Sequence, residues 1–263
     1  VCMLATVAVP TAIVSATTDS GDAGTSSNQP TEQKSITVTK DESSAQFDSL
    51  EDALAAAEEG STITLNENIT VTQRAYITKG ITLNGNGHSI AGVGDFSSSS
   101  NPAVVLIDTD NAVVLSDLSI IGGTSNKFPL NIYTSPNVTL NNVSVTNVFT
   151  NGGAMLVNAS SVTVTGNLSV STAAGSWYGI NVDSGVGVES TDPILTFAAG
   201  SKMTYANTDD GSYNAEGPAA ICVDKPTQYT NAIAGYEEAG LAEPTRNEKQ
   251  QDLYYLAQAA DVE

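Results

Sequence analysis

The feature that most constrains the fold is a short apolar pattern that recurs along the chain at a nearly constant spacing. Leu115, Leu140 and Val164 occupy equivalent places in three successive stretches and lie 25 and 24 residues apart. Leu83 occupies the same place one repeat earlier, and an insertion near residues 92–102 explains the longer gap that follows it. A period in the low to middle twenties, with two or three short strands per period, is the signature of a β-solenoid.

Alternating runs of apolar and polar residues fill these repeats. Residues 63–65 and 162–164 place Ile, Val or Leu at every second position, which is the pattern of a strand that buries one face. Asp117 and Asn142 hold the same place in two repeats, and Asn167 lies one residue later in the third. Because Asn and Asp tolerate tight turns and bond to neighbouring backbone, these three residues are predicted to form a ladder along one corner of the solenoid, not a catalytic cluster.

Composition and charge narrow the possible partners. The 263 residues are rich in Ser, Thr, Asn, Gly and Val, which suits short strands joined by polar turns. The formal net charge is −20, with only nine Lys and Arg residues. A basic face for phosphate contacts is hard to build from so few cations, so no nucleic-acid partner is expected. Polyuronic acids and anionic membranes should be repelled unless a divalent cation bridges the two negative surfaces.

The beginning of the chain has the pattern of an export signal. Residues 1–16 are apolar up to Val14, carry no charge and end on Ser15-Ala16, so they are predicted to be a signal peptide, truncated at its start. The apolar stretch is too short for a comfortable membrane span, so the mature chain is expected to be secreted or on the cell surface. Residues 17–35 are predicted to be a flexible Ser/Thr-rich linker. Cleavage would leave Cys222 as the one cysteine, predicted to be a buried, inert thiol.

An amphipathic helix is predicted directly before the strand series, at about residues 49–59. Ser49 can cap its N-terminus, Leu50 and Ala53 begin its apolar face, and Gly60 ends it. This helix is expected to cap the first coil, because a solenoid needs a cover at its open end.

The end of the chain is also predicted to be helical. Residues 230–239 and, more strongly, residues 245–260 show helical periodicity, and Thr245 with Glu248 matches a capping box. The predicted organisation is therefore a signal peptide, a linker, a parallel β-helix with its N-terminal cap, and a helical C-terminal cap or the start of a missing region, with these bounds: 1–16, 17–35, 36–225 and 226–263.

Three parts of the chain carry a family resemblance: residues 47–65 (FDSLEDALAAAEEGSTITL), residues 79–90 (KGITLNGNGHSI) and the coils through Val170. They resemble the pectate lyase-like superfamily, and in particular the repeat modules of bacterial secreted and cell-surface proteins, over roughly residues 36–205. With the predicted caps, the expected fold is all-β: a right-handed parallel β-helix with an N-terminal capping helix and short C-terminal helices. This fold carries lyases, hydrolases, esterases, adhesins and inert stalks, so the resemblance does not decide the function.

The resemblance does direct the search for catalytic residues. The calcium-dependent lyases of this superfamily typically use Arg or Lys as the base, beside an acidic calcium site, and Arg74 and Lys79 lie in the early coils. The hydrolases carry an Asn-Thr-Asp element, an Asp pair, a Gly-His-Gly and an Arg-Ile-Lys, of which only a partial match at His88 is present. No complete catalytic set is predicted. The alternative is a catalytic set that includes Arg74, Lys79 and His88, although a structural or surface role is preferred for His88.

No metal or cofactor is predicted. The alternative is calcium at Asp108 and Asp110, an acidic turn with the hard oxygen ligands that Ca²⁺ prefers.

Aromatic side chains supply the candidate ligand-binding residues. Sugar binding without catalysis uses exposed rings beside Asn, Asp and Gln. Trp177 and Tyr178 follow Gly175-Ser176 in an expected loop tip and, with Tyr133, are the predicted ligand-binding residues. The alternative for Trp177 and Tyr178 is an aromatic lid over the end of the core.

The function expected from these observations is that of a secreted or cell-surface β-helix module with a structural or adhesin-like role, binding an extracellular polysaccharide or a host or cell-surface glycan. The alternative is a carbohydrate-active enzyme, either a polysaccharide lyase or a glycoside hydrolase, which rests on fold analogy alone.

Overall fold

The computed structural model describes residues 34–97, 102–183, 194–207, 219–224 and 232–257. Within these ranges the chain is all-β, with strands in two sheets and a single helix. The predicted signal peptide and all of the predicted linker except Lys34 and Ser35 lie outside the described residues. In chain order the elements are β1 (Ile36–Lys40), β2 (Ser43–Phe47), α1 (Leu50–Ala56), β3 (Thr62–Leu65), β4 (Ile69–Val71), β5 (Ala75–Ile77), β6 (Thr82–Asn84), β7 (Ser89–Gly92), β8 (Val105–Ile107), β9 (Val113–Ile121), β10 (Leu130–Tyr133), β11 (Val138–Asn147), β12 (Gly153–Asn158), β13 (Val162–Val164), β14 (Asn167–Thr172), β15 (Tyr178–Asp183), β16 (Leu195–Phe197), β17 (Lys202–Asn207), β18 (Ile221–Val223), β19 (Ile233–Ala234), β20 (Thr245–Arg246) and β21 (Asp252–Tyr254).

The strands divide between a larger and a smaller sheet. In the described part of the chain the larger sheet has 13 strands, with the main order β19-β16-β13-β11-β9-β6-β3-β1-β2, and the smaller sheet has eight, in the order β20-β21-β18-β15-β12-β10-β8-β5. From β3 onward the chain passes repeatedly from the larger sheet to the smaller one and back. Almost all strand pairings described are parallel, and the antiparallel strand pairs join β1, β2 and β3 at one end and β18, β20 and β21 at the other. Outside the strands, Leu241 and Leu256 form an isolated antiparallel bridge.

The recurring anchors stack as the sequence predicts. Leu140 pairs with Leu115 on one side and with Val164 on the other, and Leu83 pairs with Leu115. All four side chains are fully buried, so the in-register strands place one apolar residue on the next through the length of the core. Such stacking removes apolar surface from water at every coil, at roughly 25 cal/mol per Å².

The corner ladder is confirmed. Asp117 and Asn142 both have positive φ, 47° and 54°, and interrupt the alternation of buried and exposed residues in β9 and β11. Asn142 Nδ2 donates to Asp117 Oδ1 at 3.0 Å, and the Asn167 backbone N–H donates to Asn142 Oδ1 at 3.2 Å. Asn and Asp are the non-glycine residues that adopt this conformation most readily, which explains their presence at this corner.

The predicted N-terminal helix is present. Ser49 is its N-cap, and its side chain accepts a hydrogen bond from the Asp52 backbone N–H at 3.1 Å. The helix ends at Ala56, before the predicted end, because Ala57 is already extended, with ψ 143°. Its buried residues, Leu50 and Ala53, belong to the main core.

The predicted C-terminal helices are wrong in the described part of this region. Thr245 begins a strand instead of capping a helix, and β21 pairs antiparallel with both β20 and the edge of β18. Leu253 lies opposite Cys222 in this pairing and is buried. The described portion of the other predicted helix, from Ala232, is strand β19 followed by turns. Pairing with an exposed sheet edge satisfies backbone groups that a helix would leave unpaired on β18, and this tertiary gain overrides the helical periodicity.

Candidate functional site

The register of the smaller sheet builds two rows of outward-pointing side chains. Alternate residues of its central strands form a buried inner row, and the residues between them point to the opposite side. The first outward row, in register from β5 to β18, is Tyr76, Leu106, Asn131, Leu156, Asn181 and Cys222. The second row contains Tyr133, Asn158 and Asp183 in register, and Asp108 directly follows β8 beside them. We call these two rows the outer face.

Two exposed tyrosines stand on the outer face. Tyr76 is 43% exposed and Tyr133 is 39% exposed, and no other aromatic residue in the described ranges is a large exposed hydrophobic side chain. They lie two strands and two residues apart, which at about 4.8 Å per strand and about 3.3 Å per residue separates their Cα atoms by roughly 12 Å.

Asp108 fixes one end of this face. Its carboxylate accepts hydrogen bonds from the Tyr76 hydroxyl, at 2.9 Å, and from Thr134 Oγ1, at 2.7 Å. The hydrogen bond to Asp108 raises the pKa of Tyr76, with desolvation as the second cause. Both groups are therefore held in one orientation, and Asp108 keeps lone pairs for a ligand because an ionised carboxylate accepts about four hydrogen bonds.

Two amide oxygens on the outer face have no partner. Asn131 is only 3% exposed, and its Oδ1 is buried without a hydrogen bond to any described residue. Asn158 Oδ1, on the next strand, is in the same condition. Buried polar atoms in folded proteins are normally hydrogen-bonded, and one without a partner costs about 1–3 kcal/mol, so these two oxygens are exceptions among the described residues.

A cleft of about 450 Å³ adjoins the Tyr76 end of the outer face, between α1 and the β4–β5 segment. Its lining includes Arg74 and Tyr76, the acidic residues Asp48 and Glu51, and the apolar side chain of Leu54. The Arg74 guanidinium carbon lies 5.0 Å from the centre of the Tyr76 ring, a cation–π arrangement that covers part of that ring.

The three alternative catalytic residues, Arg74, Lys79 and His88, do not come together in one site. Lys79 also lines the cleft, but its ammonium donates to the backbone oxygens of Ala55, at 3.2 Å, and Ala57, at 2.5 Å, at the C-terminal end of α1. This is a cation placed where the helix dipole favours one. His88 precedes β7 in the larger sheet and is not among the residues that line the cleft. Of the three, only Arg74 adjoins the outer face.

Trp177 and Tyr178 lie apart from Tyr133 and are both partly buried. The Trp177 ring meets Phe128 edge to face, with centres 6.4 Å apart, and Lys127 Nζ lies 4.3 Å from its centre. Tyr178 packs beside Cys222, and its hydroxyl donates to Gln251 Oε1 at 3.3 Å. Burial raises the pKa of Tyr178 well above its usual range. These contacts are those of packed residues, as in the predicted alternative of an aromatic lid.

The two aspartates of the predicted calcium turn, Asp108 and Asp110, lie in different surroundings. Asp108 belongs to the outer face, whereas Asp110 is an exposed turn residue. Among the described residues no three His, Cys, Asp or Glu side chains come together as a metal site would require. In the same ranges no helix is long and apolar enough to cross a membrane.

Sequence reasoning identified Tyr133 but missed Tyr76, Asn131 and Asn158. All four belong to strands β5, β10 and β12 of the smaller sheet, and no sequence pattern indicated the register of these strands. The available signal was the pair Asn131 and Tyr133, two polar residues at alternate positions beside Leu130 and Ile132.

Comparison with known proteins adds no identification: no family model, no curated protein and no solved structure matches the chain.

Proposed function

We propose that the described strands form a right-handed parallel β-helix. The support is the path of the chain, which alternates between two sheets whose strands are parallel and in register around one continuous core. The right-handed sense follows from the strong preference of parallel crossover connections for that hand. Antiparallel strands at both ends, with α1, would then serve as the caps that a solenoid requires.

We further propose that this chain is a secreted or cell-surface module, structural or adhesin-like, that binds extracellular glycan on its outer face. The observation that carries the proposal is the combination on one rigid sheet of two exposed tyrosine rings and a carboxylate that is oriented by its hydrogen bonds. Sugars present apolar C–H faces and many hydroxyls, so they are bound by aromatic rings together with a few fixed polar groups.

Catalysis is not part of the proposal. A base needs a free lone pair near the sugar proton it removes, and the Lys79 ammonium is used by the end of α1. Arg74 lies against Tyr76. A glycosidase would need two carboxylates facing each other across the bond, whereas the carboxylate of Asp108 faces Tyr76 and Thr134.

The test is a glycan array probed with the purified chain, followed by calorimetry on the best ligand. The substitution Tyr133→Ala should lower affinity at least fivefold, because it removes a stacking ring that contributes about 1 kcal/mol or more. The matched control is Val93→Ala, which removes a side chain that is exposed to a similar degree, 42%, but does not belong to the outer face. Binding that both variants retain in full would exclude the outer face as the site. The release of new reducing ends or unsaturated products from any polysaccharide would overturn the non-catalytic assignment.

A further inference from the structure

We infer, independently of the proposed function, that Asn151 is a site of spontaneous deamidation and that the stacking of the coils protects the other Asn–Gly steps. Asn is followed by Gly at three places in the chain: Asn84-Gly85, Asn86-Gly87 and Asn151-Gly152. The Asn–Gly step is especially prone to deamidation, because glycine has no Cβ to obstruct the attack of its backbone nitrogen. The sequence treats the three steps alike, and the structure distinguishes them.

The reaction needs only the chain and water. The backbone nitrogen of the glycine attacks the side-chain carbonyl carbon of the asparagine, its proton leaves with the side-chain nitrogen as ammonia, and a cyclic succinimide forms. Water then opens the ring at either carbonyl, which yields aspartate or isoaspartate with a carboxylate in place of the neutral amide. A backbone N–H that donates a hydrogen bond must first give up that bond, which costs free energy, so a bonded glycine nitrogen attacks more slowly.

The step at Asn151 is free to react. Asn151 lies in the turn between β11 and β12, is exposed, and makes no hydrogen bond to any described residue. The Gly152 N–H likewise donates to no described residue, although the Gly152 oxygen accepts from the Trp177 N–H at 2.7 Å. Gly152 is buried, but the ring forms between adjacent residues, so this burial leaves the attack possible, and the exposed Asn151 presents the succinimide to water.

The attacking nitrogens of the other two steps are bonded to a neighbouring coil. The Gly85 N–H donates to the Ser116 oxygen at 2.8 Å, and the Gly87 N–H donates to the Asp117 oxygen at 2.9 Å. Both acceptors belong to β9, whereas the two glycines lie between β6 and β7. Each nitrogen therefore becomes available only when this turn separates from the next coil.

The side chains of these two steps are also bonded. Asn84 Oδ1 accepts from the Asn86 backbone N–H at 2.8 Å, and Asn86 Nδ2 donates to the Leu65 oxygen at 3.4 Å. An asparagine side chain that is bonded elsewhere must turn away from its partner before its carbonyl carbon can meet the following nitrogen. Both atoms of the reaction are thus restrained at Asn84 and Asn86.

Solvent exposure alone predicts a different order. Asn86 and Gly87 are both exposed, whereas at the third step only Asn151 is exposed and Gly152 is buried. If access to water decided the rate, Asn86 would react at least as fast as Asn151. The hydrogen bonds between coils predict the reverse order, so the two explanations can be separated by measurement.

Packing also explains why glycine follows Asn151. A Cβ at Gly152 would lie 2.0 Å from the Lys127 backbone oxygen, and the Gly153 N–H donates to that same oxygen at 3.1 Å. A larger residue at position 152 would therefore displace the start of β12. The susceptible step is fixed by the close approach of these two segments.

The experiment follows all three steps in one sample. The purified chain is incubated at mildly alkaline pH, folded and in guanidinium chloride, and then digested and analysed by mass spectrometry with fragmentation. Trypsin places Asn84 and Asn86 in residues 80–127 and Asn151 in residues 128–202. In the folded chain Asn151 should convert at least about tenfold faster than either other asparagine, and in denaturant the three rates should agree within about threefold, because the protection belongs to the fold.

Two variants assign the fast conversion to Asn151. Asn151→Gln keeps the amide but lengthens the side chain, which slows ring closure, so the fast conversion in residues 128–202 should disappear while residues 80–127 are unaffected. Asn137→Gln is the matched control, at an exposed asparagine followed by Val138 in the same peptide, and should leave the fast conversion unchanged. Labelling with an isoaspartyl methyltransferase should fall in the first variant only.

Three results would overturn the inference. The first is conversion of Asn84 or Asn86 in the folded chain as fast as that of Asn151. The second is an Asn151 rate in the folded chain more than about tenfold below its rate in denaturant, which would mean that the fold protects this step as well. The third is fast conversion within residues 128–202 that persists in Asn151→Gln.

Discussion

Asn142 donates a hydrogen bond to Asp117 across neighbouring strands while both residues hold positive φ. Each residue therefore has two roles at the corner. Its backbone adopts a conformation that most side chains avoid, and its side chain bonds to the next coil. Gly166 accompanies them, since a Cβ at that position would lie 2.4 Å from Asn141 Oδ1 and 2.6 Å from Asn142 Oδ1.

The two roles predict an order of stability among substitutions at this corner. Asn142→Ala should lower the free energy of unfolding by about 2–3 kcal/mol, because it loses the bonds to Asp117 and Asn167 and strains the backbone. Asn142→Gly loses the same bonds without the strain, so its loss should be about 1 kcal/mol smaller. Urea denaturation measures both, with Ser144→Ala in the same strand as the control. Equal losses for Ala and Gly would show that positive φ contributes nothing here.

The strands of the larger sheet could be predicted because their two sides meet different surroundings. In β9 and β11 buried and partly exposed residues alternate, so the sequence itself alternates. Strand β8 is buried throughout, and β12 begins with three buried residues. Because both sides of these strands are buried, their short apolar runs do not alternate with polar residues. The sequence therefore did not predict these strands. The outer face depends on their register, which explains why residue types pointed to Tyr133 while Asn131 was found only in the structure.

In the C-terminal segment a clear sequence pattern was present, but it predicted the wrong secondary structure. Leu253, Leu256 and Ala257 have helical spacing, but Leu253 lies beside Cys222 because the edge of β18 is open to pairing. A local pattern cannot report an edge that is created by distant residues.

A substitution at Gln250 tests whether the C-terminal segment forms strands or a helix. Its φ is +63°, in the turn between β20 and β21. Gln250→Gly should therefore raise the free energy of unfolding, by about 0.5–1 kcal/mol, because glycine relieves the strain. In a helix the same change would lower it by about 1 kcal/mol. Thermal and urea denaturation give the sign, with Lys249→Gly as the neighbouring control. A loss at Gln250 that equals the loss at Lys249 would favour the helix.

Lys79 is expected to matter for stability and not for ligand binding. Lys79→Met keeps the aliphatic stem but removes the donor to Ala55 and Ala57, so the free energy of unfolding should fall by about 1–2 kcal/mol. Lys202→Met, at an exposed position in β17, is the matched control and should change stability by less than about 0.5 kcal/mol. Glycan affinity should be the same for both variants and the unchanged chain. A loss of binding confined to Lys79→Met would return this residue to the functional site.

The buried thiol of Cys222 is expected to make the free energy of unfolding depend on pH. Burial, with the nearby Asp224 carboxylate as the second cause, raises the pKa of the thiol from 9.0 to about 12. Between these values the unfolded chain loses the thiol proton and the folded chain keeps it, so stability is complete below about pH 9 and falls as pH rises towards 12. Burial likewise raises the pKa of Tyr254 to about 12, which adds a further loss at slightly higher pH.

The contribution of the thiol is isolated by comparing the chain with Cys222→Ala, measuring the free energy of unfolding in urea at about pH 8 and about pH 10.5. The unchanged chain should lose about 2 kcal/mol more than the variant between these two conditions. Tyr254→Phe is the companion variant, and it should reduce only the loss that begins near pH 10. An identical pH dependence for the unchanged chain and Cys222→Ala would mean that the thiol titrates alike in the folded and unfolded states, contrary to its burial between β15 and β21.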